Sequence, residues 1–150
     1  MTAAEVPHLG PDLPELDIFV PGRPAPQGSK RHIGHGRLIE SSHQKVDAWR
    51  QDVRLGCLAV WDGQPPLDGP LELQVEFVRA RPSSAPKRRT PAATTAPDLS
   101  KLVRSTEDAI TSAGVWADDA RVVRCISSKR VAEIGEVPGA RIRIYRLEAS

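Results

Sequence analysis

Three carboxylates occupy positions from which they could do chemistry. Asp98 stands at the head of an amphipathic stretch, and Asp118-Asp119 lie just beyond its end, on a turn leading into the apolar run Val122 to Ile126. Chain reversal after such a helix carries Asp98 towards one of the pair, and carboxylates gathered in this way bind Mg2+ as hard oxygen ligands. A purely local role is open to the same residues, with Asp98 capping its helix and the Asp pair filling a turn. Their surroundings point to chemistry. Lys101, Arg104 and Asp108 share one face of the stretch, and Lys87, Arg88 and Arg89 come just before it. Cations around a carboxylate-held metal stabilise the charge that develops on phosphorus when a phosphodiester is hydrolysed.

Other motifs carry less. His32-Ile33-Gly34-His35 spells the HIGH tetrapeptide of class I aminoacyl-tRNA synthetases, whose nucleotide-binding domain is far larger than a chain of 150 residues. With His43 the same histidines could form a metal cluster, but the first two flank a glycine and have no acid nearby, so an exposed loop is expected. No G-x-G-x-x-G, Walker A or G-x-S-x-G pattern occurs, which leaves nothing to support a nucleotide cofactor or a serine hydrolase. Cys57 and Cys125 are too few for a disulfide scaffold and lack metal-ligand spacing, so two buried free thiols are expected.

The elements that must position these residues follow from pattern. Residues 1–14 hold three prolines and no apolar period, and are expected to be a flexible tail ahead of a single domain over 15–150. Leu16 to Val20 predicts a strand stopped by Pro21-Gly22, and Arg37 to Glu40 a second, weaker one. Ser41 and Gln44 have the capping-box form, and Val46, Trp49, Val53, Cys57 and Val60/Trp61 recur at helical spacing up to Asp62-Gly63. Leu71 to Val78 alternates strictly, as a half-buried strand does. Residues 79–97 break all order with four prolines and five basic side chains unrelieved by any acid, which predicts a mobile basic loop. Leu99, Leu102, Val103, Thr106, Ala109, Ile110 and Ala113 then trace one helical face that ends at Gly114. Strands over Val122 to Ile126 and 138–147 complete the order β(β)αβαββ, an α/β arrangement with two helices on a small mixed sheet.

Composition is consistent with this reading. With 21 Lys+Arg against 19 Asp+Glu the net charge of +2 identifies no nucleic-acid partner by itself, and only clustering could. No apolar run is long enough for a membrane span and no secretory leader is visible, so a cytoplasmic protein is expected.

The run Pro97-Asp98-Leu99-Ser100-Lys101-Leu102-Val103-Arg104, then Asp108-Ala109-Ile110, then Gly114-Val115-Trp116-Ala117-Asp118-Asp119-Ala120-Arg121-Val122-Val123 and Lys129, resembles the core of RusA-type Holliday-junction resolvases. Pro21 to Arg31 is similar to that family's opening strand and Pro-rich basic turn, and the resemblance spans about residues 16 to 147. It implies a RusA-like α+β fold and a homodimer that nicks four-way DNA junctions symmetrically with Mg2+ or Mn2+, in recombination and repair, in bacteria or their phages. The family's first acid matches Asp98, and its later acid matches Asp119, with Asp118 beside it. The second acid falls on Ser100, the usual Asn on Lys101 and the catalytic Lys on Arg104. Arg104 keeps the charge but is a fixed guanidinium that clamps a phosphate without readily supplying a proton. Ser100 is a far weaker Mg2+ ligand than a carboxylate, so a weakly held metal and low activity are expected; the alternative is a junction-binding protein with weakened or lost cleavage. Glu107 is not expected to substitute, since at ~100° per residue it faces nearly opposite to Asp98, and Asp108 lies ~15 Å further along the axis. Lys30, Arg31, Lys87, Arg88, Arg89, Lys101 and Lys129 are the expected DNA contacts.

Overall fold

The computed structural model describes residues 13–28 and 37–147. The elements in chain order are β1 (Leu16–Pro21), α1 (Arg37–Trp61), β2 (Leu71–Arg79), α2 (Leu99–Ser112), β3 (Val122–Val131) and β4 (Gly139–Arg146), with a 3-10 turn over Asp119–Arg121. The sheet runs β1-β4-β2-β3; β2 and β3 are parallel, and the other neighbours are antiparallel. Both helices cover one face, which is the mixed α+β arrangement expected.

β2 sits between β4 and β3, and its strict alternation explains why. Leu71, Leu73, Val75 and Phe77 turn towards the helices and meet Trp49, Val53 and Cys57 of α1 and Leu102, Ala109 and Ile110 of α2, all buried. Cutting any of these leucines back to alanine would cost ~2–5 kcal/mol in lost transfer and cavity energy. The opposite face of β2 is polar without being uniformly wet. Glu72 is fully buried there, 3.0 Å from Arg124 Nε and accepting a hydrogen bond from Gln74.

Three expectations are corrected. Arg37 to Glu40 is the start of α1 and forms no strand, because no proline or glycine follows Gly36 to interrupt the helix. The Ser41–Gln44 pattern therefore lies inside the helix and not at its start. β3 continues five residues past Ile126, from Ser127 to Val131, since β2 offers it a partner along its whole length. Its helix-facing positions are only partly covered, so no apolar alternation marks it, and Cys125 is exposed where a buried thiol was expected. Cys57 is buried, and its thiol is pushed up to about 12 by that burial.

The basic stretch 79–97 is irregular, and Arg81 organises it. Its guanidinium donates to the carbonyl oxygens of Pro86, Arg89 and Ala132 and to Thr90 Oγ1, so one side chain closes the loop on itself and ties it to the end of β3. Lys87, Arg88 and Arg89 project from it, exposed. The tail of residues 1–12, the Lys30-Arg31 pair and the HIGH tetrapeptide fall outside the described residues.

Candidate active site

α2 carries the candidate residues because its other flank is fixed. Leu102, Ser105, Thr106, Ala109 and Ile110 are buried. Ser105 Oγ donates to Ala25 O at 2.6 Å, and Thr106 Oγ1 accepts from the Trp49 indole at 3.1 Å while donating to Leu102 O at 2.8 Å. Every buried hydroxyl of the helix is thus partnered, as burial demands. The exposed flank then presents Ser100 and Arg104 one turn apart, with the half-buried Glu107 a turn further on. Gly114 at φ 77° ends the helix in the left-handed conformation that glycine adopts without strain.

Asp98 precedes the first turn in extended conformation, with φ −65° and ψ 138°, and its side chain makes no capping hydrogen bond. The local role open to it in the sequence is therefore not taken up. Its carboxylate is 65% exposed, 3.9 Å from Lys101 Nζ.

The return segment is clamped before it reaches the acids. Leu67 and Trp116 form an isolated bridge, with Leu67 N–H donating to Val115 O and Ala117 N–H to Leu67 O. Asp118 caps the 3-10 turn, its Oδ1 accepting from Ala120 N–H at 2.7 Å, and that hydrogen bond first of all holds its carboxyl below the usual range. Asp119 is shifted the opposite way, by partial burial and then by Asp118 and Asp108, with Arg104 opposing them. Glu107 is pushed up to about 7, by burial first and then by the negative charges of Asp119 and Asp108. Cys125 on β3 is raised by its partial cover and then by the charge of Glu107. Asp108 points to α1, paired with Arg50 at 3.0 Å. The charge of Arg104 thus opposes the acidic crowding of both Glu107 and Asp119.

A family model described as Endodeoxyribonuclease RusA matches residues 21–145. The chain belongs to the RusA endodeoxyribonuclease family. It is accordingly an enzyme of the class that hydrolyses DNA internally, in a family that acts on branched DNA. No curated protein matches the sequence.

The RusA frame shows which predicted residues come together. Arg104, Asp118 and Asp119 share one neighbourhood at the middle of α2. Asp98 and Ser100 stand at its head, Asp98 ~9 Å of helix rise from Arg104. Chain reversal brings Asp119 within electrostatic reach of Arg104 and Glu107 of α2. Among the described residues no three His, Cys, Asp or Glu side chains converge on a common point for a metal. The donor chemistry nevertheless fits a hydrated divalent cation. Asp98 offers an exposed carboxylate whose ion pair with Lys101 is 3.9 Å long, Asp119 one crowded by Asp118 and Asp108 and offset by Arg104, and Mg2+ retains several waters of its own. Lys101 lies beside Asp98, whereas Lys129 turns inward and donates to Thr95 O and Pro97 O, both at 2.9 Å. That ammonium fastens the end of the basic loop to β3. Glu107 is the residue that sequence reasoning sets aside: its angle to Asp98 is the wrong measure, because its neighbour is Asp119, which no helical wheel displays. Among the described residues no helix is long and apolar enough to cross a membrane.

Proposed function

We propose that this RusA-family chain resolves four-way DNA junctions by Mg2+- or Mn2+-dependent phosphodiester hydrolysis, acting as a homodimer in DNA recombination and repair in the cytoplasm. The observation that carries the reading is the exposed flank of α2, where Asp98 makes no capping hydrogen bond and pairs at 3.9 Å with Lys101, and where the charge of Arg104 opposes the crowding of Asp119 by its acidic neighbours. A divalent ion bound there by Asp98 and Asp119 would supply Lewis-acid activation of phosphate and water. The chain's own groups do the rest. Arg104 holds a non-bridging phosphate oxygen and stabilises charge as it develops, in the planar two-point manner of a guanidinium. Asp118 fixes the turn that aims Asp119. Lys87, Arg88 and Arg89 bind backbone phosphates away from the reacting centre and set the register of the arm. Two equivalent sites related by a two-fold axis match symmetric cutting of a two-fold substrate.

The missing acid at Ser100, together with the absence of a converged acid triad among the described residues, favours one second reading, in which the protein binds junctions and cuts them poorly. A labelled four-way junction incubated with protein and Mg2+ separates the two. Shifts with paired nicks that vanish in Asp98→Asn and Asp119→Asn, with binding kept, support resolution. Shifts without nicks at any Mg2+ or Mn2+ concentration support the second reading, and no preference for a junction over a duplex refutes both. Light scattering at micromolar concentration tests the dimer, and a monomer mass refutes it.

A further inference from the structure

Beside the head of α2 lies a cleft of about 890 Å³ that takes no part in the proposed hydrolysis. Its walls are the extended segment 22–28, the stretch of α1 from Lys45 to Asp52 and the loop ending at Pro97. Those walls are built and held. Gln27 N–H donates to Lys101 O at 3.0 Å, and Ser105 ties Ala25 to α2. Gly22, at φ 151°, lies so close to α1 that a Cβ there would come within 2.5 Å of Asp52 Oδ2. The volume is that of a small-ligand site.

The lining is apolar within and cationic at the rim. Pro24, Pro26, Ala48 and Pro97 contribute apolar surface, while Arg23, Lys45, Arg79 and Lys101 stand around it with Asp52. Asp98 is part of the same wall, so the cleft opens onto the first acid of the candidate active site. Apolar surface accepts the flat face of a nucleobase whatever its sequence, and rim cations accept the phosphates on either side of it. A paired duplex shows a protein only backbone and groove edges, and cannot fill a concave site. A nucleotide turned out of the stack can.

We propose that this cleft receives a single nucleotide unstacked at the branch point of the DNA, beside the phosphate presented to Asp98. The inference rests on the proposed action on branched DNA and adds a reason for its selectivity. Turning a base out costs a few kcal/mol within a duplex and least where stacking is already interrupted, as it is at a crossover. Filling the cleft is therefore cheapest on the substrate that has a branch, and the site selects structure without reading sequence.

The test uses four-way junctions carrying 2-aminopurine, which brightens on unstacking, at each position within three nucleotides of the crossover. They are bound by the full chain in EDTA so that no cutting intervenes. One position is expected to brighten several-fold on binding. Ala48→Trp and Ala80→Trp each put a ring into the cleft from an exposed position on opposite walls, and circular dichroism checks that each keeps the fold. Both are expected to remove more than half of the brightening and to narrow the preference for a junction over a duplex, while affinity for the plain duplex stays within about threefold of the parent. Brightening that persists in both variants, or none at any position in a bound complex, overturns the inference and leaves the proposed function standing. Failure to bind the junction at all overturns the proposed function itself.

Discussion

Arg81→Ala is expected to unlatch the basic loop without unfolding the domain. The guanidinium reaches four acceptors: Thr90 Oγ1 at 2.8 Å, Arg89 O at 2.7 Å, Ala132 O at 3.2 Å and the carbonyl of Pro86. Hydrogen bonds to a charged donor contribute ~1.5–3 kcal/mol each when buried. This side chain is only part-buried and gives up ~2 kcal/mol of rotamer freedom to be held, so the set is worth roughly 2–3 kcal/mol to the closed loop. The population of the open loop should rise by ~30- to 140-fold, at about 1.4 kcal/mol per factor of ten. Trypsin reads this directly, because Lys87, Arg88 and Arg89 are exposed cleavage sites whose hydrolysis tracks the open population when reclosing is fast. The Arg81–Pro82 bond is a poor trypsin site in either protein, so the substitution removes no competing cut. Nicking between 87 and 90 should accelerate by the stated factor at low protease, with the midpoint of global thermal unfolding lowered by only a few degrees. Acceleration below about threefold would show that the loop is held by something other than this arginine, or is open from the start.

Three further outcomes follow from the same structure. Replacing Lys87, Arg88 and Arg89 together by glutamine should weaken junction binding and flatten the plot of log affinity against log salt by about 0.9 for each phosphate that the variant no longer neutralises, measured by anisotropy titration at several NaCl concentrations. Ser100→Asp should increase junction cleavage at limiting Mg2+ and raise Mn2+ affinity measured by electron paramagnetic resonance, since it adds a carboxylate one turn before Arg104; no gain in either would mean that another ligand completes the site. Glu136 is held at about 2 by its hydrogen bonds to Arg130, first among causes, so its contribution is fully present above the ordinary carboxylate range near 4.5 and is lost as pH falls through 2. With solvent screening this amounts to ~1 kcal/mol, and Glu136→Gln should lower urea stability at pH 7 by that much while leaving it unchanged near pH 2.

The sequence shows β2 and α2 clearly because each buries one regular face: Leu71, Leu73, Val75 and Phe77 at period two, and Leu102, Thr106, Ala109 and Ala113 at helical spacing. Where burial is partial the pattern fades. β3 beyond Ile126 is an edge strand whose Ser127 and Lys129 face a helix that only half covers them, so pairing with β2 decides its extent and composition says nothing. The start of α1 is obscured because a capping-box pattern can occur inside a helix as readily as at its end. Asp98, Arg104 and Asp119 stand out as candidates through residue type and spacing together with the RusA resemblance. The neighbourhood of Glu107 is not, because it depends on where the Leu67–Trp116 bridge parks the return segment. Arg81 is hidden for a related reason, since its partners are mostly main-chain carbonyls, which every residue has.

The face of the sheet turned away from the helices carries four arginines, of which Arg124 pairs with Glu72, Arg130 with both Glu76 and Glu136, and Arg141 and Arg143 with the shared Asp17. From a distance that surface is electrically silent, because opposite charges a few ångströms apart cancel well inside the ~8 Å over which salt lets a field extend. The opposite end of β2 feeds a stretch of five cations with no acid among them. The molecule is thus lopsided in a way its net charge of +2 conceals. A polyanion diffusing towards it meets no pull from the sheet side and is turned before contact so that the basic loop arrives first. The ion-paired face makes its contribution to encounter by having no field, leaving one approach to compete for.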